Sequence, residues 1–136
     1  MNGSHTGSRR SFLFGGAIAS MALLGATQSS AAGPGAPIVL VHGAWHGGWC
    51  WRKLLPLLRA AGRETFAPTL TGLGERSHLL TAEIDLATHI SDVAAVLEYE
   101  DLKEVVLVGH SYGGMVISGV AEKAGTRLSH LVYLDA

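Results

Sequence analysis

The chain has 136 residues, of which 48% are hydrophobic and 15% are charged, and its formal net charge is −1. This composition fits one globular core and excludes an intrinsically disordered chain. No extended run of lysine or arginine provides the positive patch that nucleic-acid binding requires. With one cysteine, Cys50, the chain cannot form an internal disulfide.

Residues 1–36 have the order of an export signal: a charged start, a modestly apolar run from Phe12 to Ala26, and then small residues. The adjacent Arg9 and Arg10 resemble the twin-arginine class of signal. The apolar run is shorter than the roughly 20 residues of a membrane-spanning helix. We therefore expect a cleaved signal rather than a retained anchor, and an exported protein that is periplasmic or extracellular.

The remaining residues, 37–136, alternate between two patterns. Short apolar runs rich in β-branched residues predict strands at 37–42, 63–68, 104–109 and 128–136. Apolar residues at helical spacing predict helices at 50–62, 86–99 and 112–125. Pro56 is expected to open or kink the first helix, and Asp85 to cap the second. Buried strands alternating with helices predict an α/β fold with a parallel sheet and helices on both faces.

The third predicted strand leads into the pattern G-x-S-x-G at residues 109–113. Open parallel sheets bind ligands at the carboxyl ends of their strands. A sharp strand-to-helix turn strains the residue at the bend and pushes its side chain clear of the backbone. Gly109 and Gly113 are expected there because a Cβ would collide with the crossing helix or strand. In a chain with 18 glycines the pattern alone is weak, but this context makes Ser111 a candidate nucleophile.

A serine hydroxyl needs a base to remove its proton, and the oxyanion formed on attack needs prearranged donors. The backbone N–H of Tyr112, at the start of the third helix, is one predicted donor. The other is the backbone N–H of Ala44 in the glycine-rich loop after the first strand. Trp45 and His46 of the same loop are predicted to line the substrate pocket.

Three segments carry a family resemblance: IVLVHGAWHGGWCW at 38–51, VVLVGHSYGGM at 105–115 and LVYLDA at 131–136. Together they resemble the α/β-hydrolase superfamily, in the branch of plant salicylate methylesterases, hydroxynitrile lyases and their bacterial relatives. The resemblance implies a serine nucleophile at Ser111, an oxyanion hole from Ala44 and Tyr112, and hydrolysis of a small ester through an acyl-enzyme. It implies no cofactor.

One departure separates two activities within that branch. Its lyases carry a threonine directly after the histidine of the first-strand loop, where this chain has Gly43. The departure favours an esterase. A lyase that uses Ser111 as a proton shuttle to split a cyanohydrin remains the alternative.

The superfamily orders its triad as serine, then Asp or Glu, then histidine. The histidine that follows Ser111 is His130, which is expected on the flank of the fourth strand and away from the serine. Asp135 occupies a position that some members use for the acid, although ordering a loop at the sheet edge is the favoured interpretation. We therefore expect the N-terminal part of the fold, cut after the fourth strand, with an exposed apolar edge and poor catalysis. A non-catalytic remnant is a third hypothesis.

The other histidines do not have metal-ligand spacing. His42, His46 and His78 are predicted to fix loop geometry and line the pocket mouth, and His110 to point away from the site into packing. The G-x-G at residues 72–74 lacks the third glycine of a dinucleotide site. We therefore expect no metal, a small-molecule ester as partner, no nucleic acid and no stable membrane span, with the oligomeric state left open.

Overall fold

A computed structural model describes residues 35–136, which form one parallel sheet with helices. The strands are β1 Gly35–Val41, β2 Arg63–Phe66, β3 Val105–His110 and β4 Leu128–Leu134. The helices are α1 Leu55–Ala60, α2 Leu86–Tyr99 and α3 Gly113–Ala124, with short 3₁₀ helices at Gly48–Trp51, Gly74–Leu79 and Gly125–Arg127. The predicted export signal lies outside the described residues, except for its last two, which belong to β1.

The strands run in the order β2-β1-β3-β4, and every neighbouring pair is parallel. The predicted parallel sheet is confirmed. Val41 pairs with Gly109, and His110 pairs with Leu134. The carboxyl ends of β1, β3 and β4 therefore meet at one edge of the sheet, which is where the candidate nucleophile follows β3.

The two faces of the sheet carry different helices, as the sequence predicts. On one face, Val39 and Val41 of β1 pack in a buried cluster with residues of α2 and α3. Thr65 of β2 is buried beneath α1, where Arg59 donates a hydrogen bond to its hydroxyl over 3.0 Å. Because Thr65 pairs with Ile38 and successive residues of a strand alternate between faces, α1 lies on the face opposite α2 and α3.

The first predicted helix is shorter than its sequence pattern. Instead of one helix over 50–62, the chain forms the 3₁₀ helix that ends at Trp51 and then α1. Pro56 lies in the first turn of α1, where its missing N–H costs nothing, so of the two predicted outcomes it opens the helix. None of the residues of α1 is buried, and Leu57 is 67% exposed.

The second helix agrees with prediction in both its extent and its cap. The Asp85 carboxylate accepts a hydrogen bond from the Thr88 backbone N–H over 2.9 Å, and the Thr88 side chain closes a capping box. Val93 and Leu97 are fully buried against the sheet cluster. No helix within residues 35–136 is long and apolar enough to span a membrane.

The outer strand β4 is only partly covered. Its apolar side chains Leu131, Val132, Tyr133 and Leu134 are between 37% and 49% exposed. Alternation along the strand places two of them on each face of the sheet. The predicted apolar exposure of the fourth strand is therefore present in the structure.

Candidate active site

Ser111 occupies the turn that joins β3 to α3. Its φ is +51°, in the left-handed region, and its side chain is exposed. The Ser111 N–H donates to the carbonyl of Leu134 over 3.2 Å, and its own carbonyl accepts from the Gly114 N–H over 2.8 Å. The hydroxyl is thus presented at the carboxyl edge of the sheet by a strained but doubly restrained backbone.

The glycines on either side of Ser111 lie where no side chain fits. A Cβ at Gly109 would lie 2.5 Å from the carbonyl oxygen of Gly113, and a Cβ at Gly113 would lie 2.7 Å from that of Val41. The crossing of β1, β3 and α3 therefore requires both glycines, for the steric reason that the sequence suggested.

The loop after β1 runs directly against this turn. A Cβ at Gly43 would lie 3.2 Å from the Cβ of Ser111 and 3.0 Å from Nδ1 of His110. Ala44 follows and is half-buried. Within residues 35–136, the backbone N–H groups of Ala44 and Tyr112 donate to no other group of the protein. Two unpaired donors therefore flank the serine, one on the loop and one at the N-terminus of α3.

His42 anchors the loop that follows β1. It is fully buried, its Nδ1–H donates to the carbonyl of Gly43 over 2.8 Å, and its Nε2 accepts from the Leu70 N–H over 3.0 Å. Both contacts are satisfied by the neutral ring. Burial accordingly lowers the pKa of His42 below its usual value. The loop is thereby tied to the segment that follows β2.

That segment contacts the loop at a second point. The Gly48 N–H donates to the hydroxyl of Thr69 over 2.8 Å, and the Thr69 hydroxyl in turn donates to the Glu75 carboxylate. This hydroxyl lowers the pKa of Glu75. Arg76 donates to the carbonyl of Thr69 over 2.8 Å. The sequence predicted only a surface loop here, because contacts 21 residues apart leave no local pattern.

The two predicted pocket residues are placed differently. His46 lines a cavity of about 260 Å³ at the carboxyl edge of the sheet, and its Nδ1–H donates to the carbonyl of Ala44 over 2.8 Å. Trp45 is 90% exposed, has a φ of +66°, and is not among the cavity's lining residues. Its role as a pocket wall stays a prediction.

His110 combines packing with a place in the same cavity. Its ring lies edge-on to Trp51 with centroids 6.4 Å apart, and 6.3 Å from the ring of His46. Cys50 and Leu134 complete the lining. The predicted packing of His110 is confirmed by its contact with Trp51, but the expectation that it points away from the site is wrong, because His110 lines this cavity.

The acid and base of a triad are not assembled around Ser111 in the part of the chain that the structure describes. No imidazole among residues 35–136 is hydrogen-bonded to Ser111. His130 is exposed and pairs with Val106, four residues before the end of β3, which is about 13 Å along the strand. Asp135 follows β4 with a φ of +47° and no histidine partner within the same range.

The buried histidine His89 was missed by the sequence analysis. It lies on α2, where its Nδ1 is 2.8 Å from the hydroxyl of Tyr112 and its Nε2 is 2.8 Å from the carbonyl of Thr71. The sequence did contain one indication that His89 is buried: it lies four residues before Val93, on the buried stripe of the helix. Across residues 35–136, no group of three or more His, Cys, Asp or Glu side chains is arranged to hold a metal ion.

Residues 38–136 match the profile of the alpha/beta hydrolase family. The chain belongs to the α/β-hydrolase family. This α/β-hydrolase is 55% identical over 101 residues to the carbendazim hydrolyzing esterase of Nocardioides sp. (strain SG-4G), a match that covers 74% of this chain and 42% of the relative. It is 36% identical over 109 residues to methylesterase 1 of Arabidopsis thaliana, with 72% and 38% covered.

Among solved structures, the α/β-hydrolase resembles an extracellular alpha/beta-hydrolase from a Paenibacillus species, described as homologous to tobacco Salicylic Acid Binding Protein 2. The TM-score is 0.69 at 29% identity, with 74% of this chain and 40% of that one covered. The predicted superfamily and its methylesterase branch are confirmed. The chain spans about two fifths of the length of the relatives that it matches.

Proposed function

We propose that this α/β-hydrolase chain carries the nucleophile and the oxyanion hole of a serine carboxylesterase that hydrolyses small esters with an apolar moiety. One observation carries the proposal: an exposed serine in a left-handed turn lies beside two unpaired backbone N–H groups, those of Ala44 and Tyr112. The esterase names of two relatives support the reaction class.

In the proposed reaction, Ser111 Oγ bonds to the ester carbonyl carbon while its proton passes to a base. The negative charge that develops on the carbonyl oxygen is stabilised by the N–H groups of Ala44 and Tyr112. The tetrahedral intermediate expels the alcohol, which takes the proton, and leaves an acyl-enzyme. Water then attacks the acyl carbon, releases the acid and restores the hydroxyl. In the chain order typical of this fold, the histidine base follows the nucleophile and the acid.

Glycine at position 43, where the lyases of this branch carry threonine, favours an esterase over a cyanohydrin lyase. A threonine at this position would bring its Cβ to 3.0 Å from His110 and 3.2 Å from Ser111. Both distances are shorter than ordinary van der Waals contact, so a neighbouring group would have to shift by a few tenths of an ångström to accept the threonine. We therefore expect no release of cyanide from mandelonitrile.

The cavity beside the turn supports an apolar substrate group. Trp51 and Leu134 contribute apolar surface to its lining, while His46 and His110 add polar edges. Its volume of about 260 Å³ fits a small acid or alcohol group rather than a long chain.

The experiment is labelling with a fluorophosphonate probe followed by peptide mass mapping. Ser111 should be modified, and Ser111→Ala should abolish modification because it removes the attacking oxygen. Ser77→Ala is the matched control and should leave the labelling of Ser111 unchanged, since Ser77 is an exposed serine in the 3₁₀ helix Gly74–Leu79. If Ser111 is not labelled, the esterase proposal fails and the non-catalytic remnant becomes the favoured hypothesis. Turnover of p-nitrophenyl acetate that Ser111→Ala abolishes would exclude the remnant.

We also infer that residues 1–36 direct export by the twin-arginine route. The motivation is the pair Arg9 and Arg10 ahead of an apolar run that contains glycine. Replacing both arginines by lysine should trap the precursor in the cytoplasm, as measured by fractionation and immunoblotting. Equal export of the double-lysine variant and the native chain would contradict the inference.

A further inference from the structure

A chain of hydrogen bonds links helix α2 to the residue after the candidate nucleophile. The Asp92 carboxylate accepts from the N–H of Thr71 over 2.7 Å and from its hydroxyl over 2.9 Å. The Thr71 carbonyl lies 2.8 Å from Nε2 of His89, and Nδ1 of His89 lies 2.8 Å from the hydroxyl of Tyr112. His89 is buried, with 7% of its surface exposed.

The chemistry of the groups sets the direction of these bonds. A carbonyl oxygen only accepts, so Nε2 of His89 carries the hydrogen that faces Thr71. In the neutral ring, Nδ1 is then an acceptor and the Tyr112 hydroxyl donates to it. The two rings also meet edge-on, with centroids 5.7 Å apart and planes at 85°. Tyr112 is thus held by one directed hydrogen bond and by ring packing.

This anchor adds to backbone hydrogen bonds at the same turn: the Met115 N–H donates to the Tyr112 carbonyl over 3.0 Å, and the Gly114 N–H donates to the Ser111 carbonyl over 2.8 Å. Ser111 before it has a strained positive φ, and Gly113 and Gly114 after it have no side chains to hold them. Among residues 111–114, Tyr112 is the one with a side-chain hydrogen bond, so that side chain provides a further restraint on the first peptide groups of α3. The backbone N–H of Tyr112 is the proposed oxyanion donor.

We propose that His89 is a positioning residue for the oxyanion hole, acting through the Tyr112 hydroxyl to aim the Tyr112 backbone N–H. The assignment deepens the proposed esterase function and depends on it for its catalytic meaning. The hydrogen bonds of His89 go to the Tyr112 hydroxyl and the Thr71 carbonyl and not to Ser111, so it takes no part in the bond changes. Thr71 and Asp92 hold His89 in its ring orientation.

The test compares second-order rates of Ser111 phosphonylation, because that reaction also places negative charge on an oxygen in the oxyanion hole. His89→Leu and Tyr112→Phe should each react roughly 10-fold more slowly, less than the loss expected when a donor is removed entirely. The double variant should be no slower than either single one, because both changes break the same link. His89→Gln should recover most of the rate, since an amide can donate to Thr71 and accept from Tyr112.

The controls separate positioning from general damage. Tyr112→Phe keeps the ring and removes only the hydroxyl, so it tests the link even where His89→Leu lowers folding yield. His130→Gln, at an exposed histidine of β4 that pairs with Val106 and lies away from the turn, should react at the native rate. A native rate in both His89→Leu and Tyr112→Phe, or a double variant slowed by the product of the two factors, would overturn the proposal.

A second measurement keeps the inference distinct from the esterase proposal. The ¹H–¹⁵N resonance of the Tyr112 amide should move in His89→Leu and return towards its native position in His89→Gln. If native Ser111 is not phosphonylated, the esterase proposal fails, while this pattern of shifts still supports the positioning link. An amide resonance unmoved by His89→Leu overturns the link whether or not Ser111 reacts.

Discussion

At the scale of single residues, the candidate site relies on backbone conformations that most side chains avoid. Ser111 and Trp45 have φ angles of +51° and +66°. Such a conformation costs of order 1–3 kcal/mol in a non-glycine residue and persists only where neighbours enforce it. At Ser111 the hydrogen bonds to Leu134 and from Gly114 provide that restraint. These two hydrogen bonds therefore hold the exposed serine in its strained conformation.

The glycines of the turn give the first prediction. Gly113→Ala should lower the free energy of unfolding by about 2–3 kcal/mol, because the new Cβ meets the carbonyl oxygens of Val41 and His42 at 2.7 and 2.9 Å. Gly125→Ala is the matched control, since no atom lies within 4 Å of its Cβ and its φ is −57°. The free energy of unfolding of this control variant should rise by about 0.5 kcal/mol. Equal urea midpoints for the two variants would contradict this explanation.

His42 gives a prediction about pH. Its pKa in the folded protein is lowered by burial, whereas in the unfolded chain it is about 6.5. Below pH 6.5 the unfolded chain therefore binds more protons, and stability falls as the pH drops from 6.5 towards the folded pKa. Above pH 6.5 the contribution is fully present.

The measurement is urea unfolding of the native chain and of His42→Gln between pH 5 and pH 8. The stability advantage of the native chain should shrink towards pH 5, because only the native residue must accept a proton on unfolding. His130→Gln, at an exposed histidine, should follow the native curve. An advantage for the native chain that stays constant over this range would show that His42 does not titrate differently in the two states.

At the scale of elements, α1 and α2 show why an apolar pattern does not guarantee burial. Both segments have apolar residues at helical spacing, yet α2 buries Val93 and Leu97 while α1 buries none of its residues. α1 is a six-residue helix that has Pro56 in its first turn and packs over β2. α2 has two neighbours to pack against, α3 and the sheet cluster. Burial depends on these neighbours, which the local pattern does not encode.

The cap of α2 gives a prediction at this scale. Asp85→Ala should lower the urea midpoint by roughly a few tenths of a molar, because it removes the acceptor for the Thr88 N–H. Asp85→Asn should retain most of the native midpoint, since asparagine also caps helices. The pKa of Asp85 is lowered by the same Thr88 N–H, so the cap's contribution disappears as the acid is protonated below pH 4. Identical midpoints for the alanine and native chains would contradict the assigned role.

At the scale of the whole molecule, the sheet is covered unevenly. The cluster under α2 and α3 is buried on one face, whereas β4 forms an edge whose apolar side chains are up to half exposed. An exposed apolar edge strand is a template for association with other chains. The same edge adjoins the candidate site, because Leu134 both ends β4 and lines the cavity beside His110.

The edge gives the fourth prediction. The 136-residue chain should associate as its concentration rises, and Leu131→Lys with Val132→Lys should reduce this association by placing a charge on each face of β4. Leu57→Lys is the control, because Leu57 is exposed on α1, away from the edge. Sedimentation velocity measures the difference. A control variant that dissociates as readily as the double variant would place the association surface elsewhere.

The sequence by itself determined the parallel α/β sheet, the turn at Ser111 and the cap at Asp85. Each rests on residues that are neighbours in the chain: a β-branched run followed by glycines around a serine, or an aspartate three residues before its partner N–H. Local sterics and hydrogen bonding decide such features, so they can be read without knowing the rest of the fold.

Only the tertiary structure decided how the oxyanion loop and the turn are held. The hydrogen bond that Leu70 donates to His42 joins residues 28 apart, and the one that Tyr112 donates to His89 joins residues 23 apart. Whether a histidine on an apolar stripe meets a hydroxyl, a carbonyl or only hydrocarbon depends on which elements pack together. That packing is set by the three-dimensional arrangement of the strands and helices, so no spacing in the sequence reports it.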